Sequence, residues 1–249
     1  MSLSVALHEV RRGRHIVLSD IAFTAQNNSF TAVIGRNGCG KSTLVSCIAS
    51  LIPYTGEISL DGTSLPAMSP QKRASRIAVM LQQLRTPHIT VRDLAVFGRS
   101  PYLGIGGRLT AADEQRIQNA LALAELTEIA DCYLDRISGG ELRRAYLGMV
   151  LAQDGDILVL DEPTANMDSD HNAQFVNKLC RLRDSGKTVI AVMHDLTQAM
   201  KADRIVLLNQ GKQLFSGTPG DFVSSGFSES VFHAYPVVMP DGEVFFSVK

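Results

Sequence analysis

The chain has 249 residues, enough for one sizeable core, and its 45% hydrophobic and 20% charged residues are ordinary for a soluble globular protein. Its 24 Lys and Arg against 25 Asp and Glu leave a formal charge of −1, which argues neither for nor against a nucleic-acid partner, and none is expected. The four cysteines (Cys39, Cys47, Cys132, Cys180) lack paired or metal-finger spacing, residues 1–10 lack a signal-peptide core, and no apolar run approaches a membrane span, so a reduced cytoplasmic setting is expected.

Taken in chain order, residues 3–10 and 16–23 alternate like half-buried strands. Phe30 to Ile34 is a short apolar strand that stops at Gly35, and an apolar-periodic helix runs from about Ser42 to Ala49. A strand at Glu57–Leu60 enters a tight turn at Asp61-Gly62, and Ser69-Pro70 reads as an N-cap with proline at the first helical position. Ile77 to Leu81 is another apolar strand. Between Thr90 and Ala152 the pattern turns helical, with Thr110 and Asp113 as a capping box and a glycine-rich loop over Gly98–Gly107. Short buried strands return at Ile157–Leu160, Thr188–Val192 and Arg204–Leu208. Between the first two, Phe175, Val176, Leu179 and Leu182 recur at helical spacing before Gly186. Strands alternating with helices predict an α/β fold with a mostly parallel sheet covered on both faces, interrupted by an inserted helical block. Residues 222–249 carry no motif, and 243–248 reads as a last edge strand.

The run Gly35-Arg-Asn-Gly-Cys-Gly-Lys41-Ser42, between a strand and a helix, has phosphate-loop spacing. Glycines let successive amides turn inward around an anion, and the following helix aims its positive end at the same place. Lys41 adds a point charge for the β and γ phosphates, and the Ser42 hydroxyl suits Mg2+. At the end of a later strand, Ile157–Leu160 delivers two adjacent carboxylates, Asp161 and Glu162. Ligands of parallel sheets sit at such ends. Asp161 suits the metal shell, and Glu162 suits a general base beside the γ-phosphate.

Ile137-Ser138-Gly139-Gly140-Glu141 resembles the LSGGQ signature of ABC ATPases. Asp161-Glu162-Pro163-Thr164 is similar to that family's Walker B extension, Asn166-Met167-Asp168 to its D-loop, His194-Asp195 to its switch histidine, and Gln82 to its Q-loop glutamine. The order holds from about residue 30 to 217. The resemblance implies a P-loop NTPase with an N-terminal antiparallel β-subdomain and an inserted helical subdomain at 86–154, the core being 1–85 and 155–249. It implies ATP held by Gly35, Asn37, Gly38, Cys39, Gly40, Lys41, Ser42 and Thr43, and Mg2+ held by Ser42, Gln82 and Asp161. Lys41, Gln82, Glu162 and His194 would carry the chemistry. Ser138, Gly139, Gly140 and Asp168 would complete the site of a second copy, so a homodimer is implied. Thr90-Val-Arg-Asp-Leu, Phe97-Gly-Arg-Ser-Pro-Tyr102 and Gly107-Arg-Leu109 resemble ATPases of importers for ferric siderophores, ferric citrate, haem and cobalamin. Such a subunit works on the inner face of the cell membrane, docked on an integral-membrane permease and served indirectly by a substrate-binding protein. An exporter ATPase or a non-transport ABC protein is the competing reading.

Three positions depart from the family pattern. Arg12 stands where an aromatic ring usually stacks on adenine, and a guanidinium can stack on a base. The signature ends in Glu141 rather than Gln, so its carboxylate would need the ribose or a cation, with Arg143 and Arg144 as candidates. Cys39 lies inside the phosphate loop, where alkylation would be expected to obstruct nucleotide binding.

Overall fold

In the computed structural model, which describes residues 1–103, 107–165, 169–240 and 242–248, the chain begins with two long strands, β1 (Leu3–Arg12) and β2 (His15–Ala25), paired antiparallel around Gly13. β1 runs two residues further than its alternation predicts, and β2 one residue further at its start and two at its end. β3 (Phe30–Gly35) is buried at every position and hands over through the glycine loop to α1 (Lys41–Ile48). β4 (Thr55–Leu60) turns through Asp61 and Gly62, both at positive φ, into the short β5 (Thr63–Ser64). In α2 (Pro70–Arg76) the Ser69 side chain accepts the Lys72 amide, as an N-cap should, and β6 (Ile77–Met80) follows.

Three helices come next: α3 (Val91–Phe97), α4 (Ala111–Leu123) and α5 (Gly139–Gln153). Each opens on a reciprocal capping box, Thr90 with Asp93, Thr110 with Asp113 and Ser138 with Glu141. Leu94, Ile117, Leu121 and Ala145 join them in an apolar cluster of their own. The glycine-rich stretch after α3 is less irregular than expected, because a 3-10 turn occupies Ser100–Tyr102. Residues 104–106 lie outside the described residues. Gly98 is pressed against α5, where a Cβ would meet the Met149 carbonyl oxygen at 2.3 Å. Arg99, 3% exposed, donates to the Ala152 carbonyl at 2.8 Å and pairs with Asp113 at 2.8 Å. Its guanidinium lies 3.9 Å over the Tyr102 ring, whose hydroxyl donates to the Ser75 carbonyl at 3.0 Å. The stretch Phe97–Tyr102 therefore clamps α5 and α4 together and ties both to α2.

That clamp carries a stability prediction. The Thr110 hydroxyl and amide, with Arg99, hold the Asp113 carboxyl down at about 2 from an ordinary 3.8. A lowered folded-state value means stability that is complete above about pH 4 and lost as pH falls toward 2. Asp113→Asn keeps the shape but strands a buried guanidinium, and should lower unfolding stability near neutral pH by about 3 kcal/mol. A denaturant midpoint unchanged from the native chain, at equal slope, would refute this.

The remaining core elements are β7 (Ile157–Asp161), α6 (Ser169–Asp184), β8 (Thr188–Val192), α7 (Leu196–Ala199) and β9 (Arg204–Asn209). β10 (Lys212–Gly217), which the apolar pattern did not reveal, turns back through Gln210 and Gly211 to pair antiparallel with β9. All the strands so far form one sheet of order β5-β4-β1-β2-β10-β9-β3-β8-β7-β6, parallel from β9 to β6. Successive residues of the central strands go to opposite faces. Val33, Val159 and Ile190 pack with Leu44 and Ile48 of α1, whereas Ile34, Leu158 and Ala191 pack with Val150 of α5 and Val176 of α6. Helices cover both faces, which is why these strands read as unbroken apolar runs.

The N-terminal strands share an apolar cluster with α1 and the central strands, but their backbone joins the rest of the sheet along a narrow seam. β2 and β10 share one ladder position, Ser19 opposite Lys212, with the Ser19 amide donating to Gly211 at 2.8 Å. Beyond it the Gln213 carboxamide substitutes for strand pairing, bonding both the amide and the carbonyl of Ala22 at 3.0 and 2.8 Å. Past β10 come α8 (Pro219–Ser224), α9 (Phe227–Phe232), β11 (Ala234–Val238) and β12 (Val244–Val248). The last strand is an edge strand, as expected, though of a separate hairpin with β11 rather than of the main sheet. Its apolar residue Phe246 packs toward Phe222 of α8, ring centroids 6.5 Å apart, so helices rather than the sheet cover it.

Candidate functional site

The glycine loop between β3 and α1 owes its path to residues without side chains. Gly40 adopts φ 106, and a Cβ there would meet the Leu18 side chain at 2.3 Å. Lys41, 5% exposed, turns its ammonium back into the loop and donates to the carbonyls of Gly35 at 2.7 Å and Arg36 at 3.2 Å. A cation parked on backbone carbonyls, with no carboxylate among the described residues bonded to it, keeps its charge available to an incoming anion. The N-terminus of α1 faces the same place.

A cleft of about 560 Å3 opens over this loop. Asn37, Gly38, Gly40, Lys41, Ser42 and Thr43 form its floor, and Arg12 and Val17 stand at one side. Gln82, Glu162 and His194 arrive from the C-terminal ends of β6, β7 and β8. A larger cavity, about 660 Å3 beside the C-terminal hairpin, includes none of these residues. Size alone would pick the wrong place; the convergence of strand ends on the loop marks the site.

Asp161 ends β7 and is 2% exposed. Burial pushes its carboxyl upward, opposed by the Ser42 hydroxyl, and its Oδ1 is buried without a hydrogen-bond partner. The Ser42 hydroxyl also donates to Oε1 of the Gln82 side chain at 3.3 Å. An orphaned buried carboxylate oxygen beside a hydroxyl and an amide oxygen is a donor set suited to a hard divalent cation.

Glu162 follows in a left-handed conformation, φ 51, which a non-glycine residue keeps only when its surroundings hold it there. Its carboxylate accepts a hydrogen bond from Gln82 at 2.8 Å and lies 2.6 Å from Nε2 of His194. Ser42, Gln82, Glu162 and His194 thus form one continuous polar chain across the mouth of the loop. The Glu162 carbonyl is held at 2.7 Å by Arg143 of α5. That is a correction, since Arg143 was a candidate partner for Glu141. A readable signal was missed: Arg143, Leu147 and Val150 share one helical face, and all three are buried. A cation in that row requires a buried acceptor.

Glu141 needs neither the ribose nor Arg143. Its carboxylate folds back to accept the Ser138 hydroxyl at 2.7 Å and the Ser138 amide at 2.8 Å. Those bonds hold its pKa below the usual range, with Arg144 adding a weaker attraction. Ser138 and Gly139 are exposed, and neither they nor Gly140 line the cleft of their own chain. Cys39 is 4% exposed and packs into the core, and burial raises the pKa of its thiol. A thiol so placed alkylates slowly in the folded chain, and alkylation, once it occurs, is still expected to obstruct nucleotide binding. Asp168, with Asn166 and Met167, lies outside the described residues.

A model of the ABC transporter family matches residues 18–165. The petrobactin import ATP-binding protein YclP of Bacillus subtilis (strain 168) is 38% identical over 224 residues, covering 88% of this chain and 88% of that protein. The ferric enterobactin transport ATP-binding protein FepC of Escherichia coli (strain K12) is 35% identical over 233 residues, covering 92% and 86%. The iron(3+)-hydroxamate import ATP-binding protein FhuC of Bacillus subtilis is 30% identical over 244 residues, covering 96% and 91%. Among solved structures, a dimeric ATP-binding cassette in a post-hydrolysis state with ADP and Pi aligns at a TM-score of 0.77 and 24% identity, covering 88% of this chain and 99% of that one. A nucleotide-free ATP-binding cassette from an ABC transporter aligns at 0.80 and 18%, covering 93% and 98%. At those identities the structural likeness establishes the fold.

Proposed function

Because this chain belongs to the ABC transporter family of ATP-binding subunits, we propose that it is the ATP-hydrolysing motor of an importer for a ferric siderophore or a related iron chelate. The observation that carries the catalytic part is the polar chain from Ser42 through Gln82 to Glu162 and His194, set over the phosphate loop. The import part rests on relatives that span nearly the whole chain and whose names specify siderophore uptake.

In this reading the triphosphate displaces the Gly35 and Arg36 carbonyls from Lys41, whose ammonium then neutralises the β and γ oxygens. The loop amides and the start of α1 hold the same phosphates. Ser42, Asp161 and Gln82 would hold Mg2+, which when bound draws charge from the β and γ oxygens. Glu162 accepts the proton of the attacking water, and His194 orients that carboxylate and donates to the γ-phosphate. Ser138, Gly139 and Gly140 of a second copy cap the γ-phosphate from the far side, so the working unit is a homodimer with two shared sites. No helix among the described residues is long and apolar enough to cross a membrane. The dimer reaches the inner face of the membrane by docking on a permease, which a substrate-binding protein supplies.

Loss of the chain from its native cell should abolish uptake of a radiolabelled ferric siderophore, with restoration by the native chain but not by Lys41→Ala. Undiminished uptake of every ferric chelate tried would remove the importer reading. A second expectation concerns the base. Arg12 lines the cleft, and in this reading its guanidinium stacks on the nucleobase face without reading its edge. GTP should therefore be hydrolysed with kcat/KM within about threefold of ATP. A strong preference for ATP in steady-state phosphate release would exclude Arg12 as the base platform.

A further inference from the structure

Glu162 is held at both ends. Its carboxylate rests between Gln82 and His194, while its backbone, at φ 51, offers its carbonyl to the Ala165 amide at 3.2 Å and to Nη1 of Arg143 at 2.7 Å. Arg143 is 9% exposed and belongs to a different layer of the molecule, the signature helix α5. Ser138, which opens that helix at the exposed end, stands five residues earlier in the chain. One stiff element therefore has an outward end free to meet a neighbouring molecule and, a turn and a half further in, a charged hydrogen bond to the peptide carrying the acid. Charge-assisted bonds of this length are strong and directional, and a left-handed peptide held by such a bond moves with its donor.

We propose that Arg143 is a positioning residue that makes the setting of Glu162 depend on the position of α5. The inference rests on the ATPase reading above, with Glu162 as the base. When α5 seats its N-terminus on the nucleotide of the second copy, Arg143 carries that displacement to the Glu162 peptide and brings its carboxylate into line with the water in its own site. Each site then fires only when the other is occupied, and the coupling runs through a discrete bond rather than through general packing.

The test uses the full-length chain, with phosphate release from Mg-ATP and nucleotide affinity measured side by side. Arg143→Lys keeps a cation and a donor, whereas Arg143→Met keeps the apolar stem and loses both. Arg143→Met should lower kcat about thirtyfold with affinity for ATP unchanged within about threefold, and Arg143→Lys should recover most of that loss. Arg143→Ala should behave like Met, and if it fails to fold the Lys and Met pair still decides. The proposal is overturned if Met turns over like the native chain. It is equally overturned if Lys does no better than Met, or if affinity falls in step with kcat, since each would make Arg143 a packing residue. Failure of the native chain to release phosphate, or full turnover after Glu162→Gln, would instead bring down the ATPase reading itself.

Discussion

Replacing Glu162 with Gln is expected to lower steady ATP turnover by about a thousandfold while leaving ATP affinity within about threefold of the native chain. The amide is nearly isosteric with the carboxylate. Its oxygen can still accept from Gln82, and its nitrogen replaces an acceptor with a donor only on the His194 side. What disappears is the capacity to take a proton from water. Binding depends on Lys41, the loop amides and the start of α1, none of which the substitution touches. ATP should therefore accumulate uncleaved, and the variant should elute as an ATP-dependent dimer in size-exclusion chromatography. Turnover within tenfold of the native rate would show that the proton goes elsewhere.

Ser138→Arg should be nearly as damaging, by a different route. Ser138 is exposed at the N-cap of α5, and its hydroxyl and amide are occupied by Glu141 in the isolated chain. Engagement of a second copy's γ-phosphate requires that small hydroxyl to leave Glu141 and turn outward. An arginine fills the space the partner's nucleotide must enter, and its own charge can pair with Glu141. Losing the cap costs about 1 kcal/mol of helix stability, too little to unfold the chain. Turnover should fall about a hundredfold, and no ATP-dependent dimer should form even alongside Glu162→Gln. A dimer that still assembles with full activity would mean that α5 does not cap a shared site.

Much of the arrangement was legible because phosphate chemistry imposes strict spacing. A buried strand, the eight residues Gly35–Ser42 and a helix have few ways to meet, and β3, the loop and α1 follow the expected order. Asp161 and Glu162 end an apolar strand, and His194 and Gln82 follow two others, so a parallel sheet had to gather them at one edge. The features that escaped are tertiary. β10 is short and half-exposed, stitched in partly by the Gln213 side chain, so no alternation announced it. The pairing of β12 with β11 depends on where α8 and α9 deliver the chain. The family pattern sets Glu141 against phosphate, but its nearest donors are the hydroxyl and amide three residues back. Of the two candidate partners for Glu141, Arg143 instead reaches the Glu162 carbonyl, because a side chain's reach across layers cannot be measured along the chain.

The seam between β2 and β10 has a mechanical consequence. One ladder position and one carboxamide join the outer four strands to the rest of the sheet there, far fewer backbone bonds than the ladders on either side carry, and the shared apolar cluster makes up the remainder of the contact. Arg12 and Val17 lie on the outer side of that suture, and Lys41, Ser42 and Glu162 on the inner. Any molecule filling the cleft spans both banks, so the occupant itself finishes the joinery that the backbone leaves incomplete.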